Sequence, residues 1–186
     1  MHATSHFLTL ARYHQWATER LLDAVQHLSD ADYRRDVGLF FHSIHGTLNH
    51  LLVAEHQLWW QRLTTGSSPQ VQLNAIVHED RCMVDVQLRT LSARWQGWIA
   101  TLDAARWDGD LHYTTLRGTT AQVPLAATLA HVFNHATHHR GQITAALTHL
   151  GAESPELDLI YYLQAAPSHA AGADPALPFA LTSCSS

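Results

Sequence analysis

In residues 124–151 the apolar side chains Leu125, Leu129, Val132, Ala136, Ile143, Leu147 and Leu150 fall on one side of a helix. At about 100° per residue they gather in an arc roughly 60° wide. Pro124 suits the first turn of such a helix and Gly151 its C-cap. The same period recurs in three more stretches. Residues 5–28 carry Leu8, Ala11, Leu22 and Val25 on it. Residues 41–63 follow it up to the loop Thr64-Thr65-Gly66-Ser67-Ser68-Pro69. Residues 74–102 place Val84, Leu88, Leu91, Trp95 and Trp98 at three- and four-residue steps. A short fifth helix is expected over residues 155–164, again with Pro near its start.

Between the third and fourth helices, residues 111–123 are rich in Thr around Arg117-Gly118 and read as a short hairpin or an extended crossover. Four long helices with one long connection predict an all-α fold, an antiparallel four-helix bundle with a short extra C-terminal helix. The length of 186 residues favours one domain, here residues 1–166. Residues 167–186 turn to Pro, Ala, Gly and Ser and read as a flexible tail, with Cys184 a free thiol in it.

Composition excludes several classes. Net charge is -5 with no basic block, which argues against nucleic acid. No apolar run of about 18 residues suggests a membrane span. The first ten residues lack a charged segment followed by an apolar one, so no signal peptide is expected and the cytoplasm is. The cysteines Cys82 and Cys184 make no CxxC pair. Charged residues are only 15%, below the roughly 25% typical of soluble proteins. Sixteen histidines fill part of that gap.

Three of those histidines stand out. His135 and His139 lie one turn apart, about 40° from each other, and His139 borders the apolar arc. His131 and His138 fall further toward solvent. On the second helix His50 also borders an apolar stripe, formed by Phe40, Ile44, Leu51 and Leu58. Its own face carries the small residues Ser43, Gly46, Thr47 and Ala54, which leave room for a pocket or for close helix packing. Two imidazoles on one helix and a third from a facing helix would complete a three-nitrogen site for a divalent metal. Open coordination positions would make it catalytic in type. The same histidines could equally be boundary residues that only pack. Trp59 and Trp60 read as core or dimer-interface residues rather than substrate platforms. Glu55 reads as a solvated helix residue, with support of a ligand the lesser reading.

Competing motifs fail. His78-Glu79-Asp80-Arg81-Cys82 lacks the second histidine of HExxH. No Glu-x-x-His pair, Walker A, GxGxxG or GxSxG occurs.

At Asn134-His135-Ala136-Thr137-His138-His139-Arg140-Gly141-Gln142 the chain resembles the DinB/YfiT-like family, whose signature is Asn-His-x-Thr-x-His-Arg-Gly-Gln. Thr47-Leu48-Asn49-His50-Leu51-Leu52-Val53-Ala54-Glu55 resembles its second-helix motif, and Tyr13-His14-Gln15-Trp16-Ala17 the start of its first helix, where Asn is common in place of Gln15. The resemblance runs over about residues 5–165. It implies an up-down-down-up four-helix bundle, commonly a homodimer. It implies a nickel, zinc or iron ion held by His50, His135 and His139, with water completing the site. It further implies a thiol-dependent S-transferase or isomerase as the class of activity. The preferred expectation is a metal-dependent enzyme of S-transferase type, with a low-molecular-weight thiol and an electrophilic cosubstrate, or of hydrolase type, which needs only water. The ion would act as a Lewis acid on thiol or water. Arg140, Gln142 and Thr47 are candidates for ligand support or substrate contact, though Arg140 could serve only a structural salt bridge. The rival readings are a non-catalytic metal-binding stress protein and a purely structural dimeric bundle.

Overall fold

A computed structural model describes residues 2–165 of the chain. The tail and Cys184 lie outside the described residues. The element order is α1 (Ala3–Gln26), α2 (Asp30–Arg34), α3 (Ile44–Leu51), a π-helical segment (Leu52–Trp59), α4 (Trp60–Thr65), α5 (Arg81–Ala100), a 3-10 turn (Ala104–Asp108), β1 (Asp110–Thr114), β2 (Thr120–Pro124), α6 (Leu125–His149) and α7 (Leu159–Ala165). The structure is mostly helical. It is not purely so: β1 and β2 pair antiparallel, with Leu111 opposite Val123 and Tyr113 opposite Ala121. No helix among the described residues is long and apolar enough to cross a membrane.

Local chemistry sets the boundaries. The second long helix starts at Ile44 rather than near residue 41. His42 sits at φ 68°, and Ser43 takes the N-cap, its hydroxyl accepting from the Gly46 N–H. The third starts at Arg81 rather than near residue 74, because Asp80 caps it through the Cys82 N–H. Residues 74–80 are a loop. At the end of α6, Gly151 adopts φ 72°, its N–H bonding the Thr148 carbonyl while the Ala152 N–H reaches Leu147. That is the Schellman arrangement, which only a residue tolerant of left-handed backbone completes cheaply.

Helix α1 packs along α5 and α6, and α3 packs against α6 and α5. The core falls into two apolar clusters. One gathers Leu21, Leu22, Ile44, Leu48, Leu88, Ile143 and Leu147. The other gathers Phe7, Trp95, Ile99, Leu125, Leu129, Val132 and Phe133. Between them, each long helix contributes buried polar groups: His14 from α1, Glu55 and His56 from the π-helical segment, Ser92 from α5, and His139 and Arg140 from α6. A polar layer across a protein interior is costly unless its groups satisfy one another or a ligand.

Candidate metal centre

The fold brings His50, His135 and His139 together. His50 Nε2 lies 3.2 Å from His135 Nε2, and His139 Nε2 lies 3.1 Å from it. One candidate ligand atom from each of the three lies within 4.8 Å of the others. The i, i+4 spacing on α6 sets the first pair, and α3 delivers His50 across from them. His50 and His139 are buried, while the His135 side chain keeps 20% exposure. His138 and His131 stay outside the group.

The far nitrogens settle how the near ones are protonated. His50 Nδ1 is 2.7 Å from the Leu73 carbonyl oxygen, which can only accept. His139 Nδ1 is 2.8 Å from Gln142 Oε1, and His135 Nδ1 is 3.4 Å from Glu55 Oε1. His50 therefore donates through Nδ1–H and carries a bare lone pair on Nε2, and the oxygens beside the Nδ1 atoms of His139 and His135 favour the same tautomer there. Three lone pairs aimed at one another repel unless a cation lies among them. The donor set suits a divalent metal of borderline softness, and outer partners on every ligand are the usual companions of such a site.

Burial also keeps two of these rings, His50 and His139, neutral. It lowers the His50 pKa to about 4, against the opposing bond to Leu73. It lowers that of His139 to about 4 as well, against the bond to Gln142. Neutral imidazole is the ligating form.

The sequence did not show what the supporting parts touch. Phe41 stacks on His50 with ring centroids 3.8 Å apart. Gly46 permits this: a Cβ there would stand 2.2 Å from the Phe41 carbonyl oxygen. Asn49 is fully buried and clamps the loop after α4. Its Oδ1 accepts from the Val77 and His78 N–H groups, and its amide donates to the His45 and His78 carbonyls. That loop supplies the Leu73 carbonyl.

Glu55 corrects the sequence reading. It is 1% exposed, not solvated. The reason is that residues 43–56 are buried on every side, so this helix has almost no solvent face. Glu55 Oε2 stands 3.8 Å from His14 Nε2 and 4.0 Å from His56 Nε2. Burial raises the Glu55 pKa, against the His135 hydrogen bond. Arg140 is buried and points away from the three histidines. It donates to His14 Nδ1 at 3.1 Å and to the Thr137 hydroxyl at 3.0 Å. Thr47 is buried too, its hydroxyl donating to the Ser43 carbonyl. Of the three residues expected to assist, Gln142 contacts a site histidine directly. Trp59 and Trp60 are half-buried against the second core cluster, beneath the guanidinium groups of Arg62 and Arg94.

A cleft of about 320 Å³ lies elsewhere, lined by Tyr13, Thr137, Arg140, Thr144, Leu157 and Tyr161 among others. Thr137, Gly141 and Thr144 sit roughly 180–240° around α6 from His135, so this cleft opens on the other side of the helix.

Among known proteins, a family model described as DinB family matches residues 1–173. Protein DinB of Bacillus subtilis (strain 168) is 26% identical over 162 residues, covering 83% of this chain and 91% of that protein. No solved structure matches the chain significantly.

Proposed function

Because this chain belongs to the DinB family, we propose that His50, His135 and His139 hold one divalent metal ion, nickel, zinc or iron, in a metal-dependent enzyme. The convergence of three bare Nε2 atoms carries this reading. The polar layer in the core supports it, since its cost is otherwise unexplained.

The reaction class is S-transfer or hydrolysis. When bound, a divalent ion supplies Lewis-acid activation of a thiol or a water near neutral pH. The chain's own residues hold and shield that chemistry. Leu73, Gln142 and Glu55 orient the imidazoles. Phe41 covers His50 and excludes water from that side. The partial exposure of His135 marks the side from which a low-molecular-weight thiol and an electrophilic cosubstrate approach. An up-down-down-up arrangement of the long helices, a homodimer and a cytoplasmic setting belong to the same reading.

A second reading is favoured by one observation: the 320 Å³ cleft does not border the three histidines. On that reading the protein binds metal without turnover. Elemental analysis of tag-free protein beside His50→Ala and His135→Ala tests the metal. Near-stoichiometric nickel, zinc or iron lost in both variants supports a three-histidine site; no metal after reconstitution overturns it. Turnover of thiol and electrophile by the loaded protein separates the enzyme from the storage or sensing alternative.

A further inference from the structure

The buried cluster beside the three histidines bears on the metal centre proposed above, and the inference from it rests on that reading. A guanidinium only donates, so His14 Nδ1, 3.1 Å from Arg140 Nη1, must accept. The single proton of a neutral His14 therefore sits on Nε2, facing Glu55 Oε2 at 3.8 Å. His135 turns its Nδ1 toward the other oxygen, Oε1, at 3.4 Å. The carboxylate is flanked by N–H groups on both sides. Donation runs from Arg140 to His14, from His14 toward Glu55, and from His135 to Glu55 on its other side.

This polarity decides what the cluster does. His14, Glu55 and His56 are close enough to resemble a second cation site. A cation on His14 Nε2 would drive the ring proton to Nδ1, against the Arg140 N–H. Two donors would then face each other in the core, with a buried guanidinium beside the cation. The cluster serves the first site instead. An acceptor at His135 Nδ1 keeps the proton off Nε2, the atom shared with His50 and His139. Glu55 also sets a negative charge beside a centre whose three ligands are neutral, opposite the positive charge of Arg140. The π-helical segment carries both Glu55 and His56 inward, and such segments recur where function demands a shifted register.

We propose that Glu55 is a positioning residue for the metal centre: it fixes the tautomer of His135 and supplies the anionic outer partner of the bound ion, with the Nε2–H of His14 facing its other oxygen from 3.8 Å. Zinc affinity of wild type, Glu55→Gln and Glu55→Ala, measured by competition with a chromophoric chelator, tests this. Loss of such an outer partner typically weakens metal binding 10–100-fold. Glu55→Ala is expected in that range. Glu55→Gln, which keeps an acceptor and loses the charge, is expected between it and wild type. Variants within twofold of a tight wild type overturn the role and leave the metal centre standing. A wild type that binds no zinc overturns both. Should the variants fail to fold, ¹⁵N long-range NMR on metal-free wild type decides: Nδ1–H on His135 is expected, and Nε2–H overturns the proposal.

Discussion

Of the neighbouring histidines on α6, only those whose Nε2 atoms converge should matter for metal. His135→Ala and His139→Ala are expected to abolish tight binding, and His138→Ala to leave it unchanged, as read by calorimetric titration with zinc. Equal losses in all three would sink the facing argument. The pH behaviour follows from burial. His50 and His139 hold pKa values of about 4 when folded, against about 6.5 unfolded. His56 is lowered to about 3, and His14 lowered well below the ordinary value, by the same desolvation. Above pH 6.5 these rings are neutral in both states and contribute no slope. As pH falls below 6.5 the unfolded chain takes up protons that the folded chain refuses, so stability is lost down toward pH 4. Urea unfolding of metal-free protein should therefore show lower stability at pH 5 than at pH 7. A flat profile would contradict neutral buried imidazoles.

The elements deliver the site through two close fits. Helix α3 meets the backbone of residue 41 so tightly at Gly46 that Gly46→Ala must displace the turn carrying Phe41. Overpacking of this kind costs typically about 1–3 kcal/mol. Chemical denaturation should show that loss, with His50 freed from its stacking partner. Asn49 joins α3 to the loop before α5 by three hydrogen bonds, to Val77 and His78. In Asn49→Ala the Val77 and His78 N–H groups lose their acceptor, which costs on the order of 2–4 kcal/mol. Zinc affinity should fall with it, because the Leu73 carbonyl that orients His50 rides on the same loop. Unchanged affinity would mean that the loop is held by other contacts.

Across the whole molecule, metal and fold should be linked. An ion that binds only the native state stabilises it by roughly 2.7 kcal/mol at a hundred times its Kd. The thermal midpoint of wild type should rise with added zinc, and that of His50→Ala should not. The two apolar clusters close the ends of the helices around the polar layer. Within that layer His14, His56 and Arg140 each carry a buried nitrogen with no hydrogen-bond partner among the described residues.

What was legible along the chain is whatever depends on near neighbours. The 3.6-residue apolar period announced the long helices, the Thr-rich stretch around Gly118 announced a hairpin or an extended crossover, of which the structure has the hairpin, and Gly151 announced the end of α6. The i, i+4 step placed His135 beside His139, and the apolar border placed His50 toward them. The contacts across the core were not legible. Glu55 looked solvated because a single helix cannot show that its outer face is covered by three others. Residues 74–80 looked helical because the amide that captures their backbone sits some 28 residues earlier, at Asn49. The outer partners of the histidines were hidden for the same reason: a backbone carbonyl at Leu73 and a carboxylate on a π-helical turn acquire their roles only from where packing puts them.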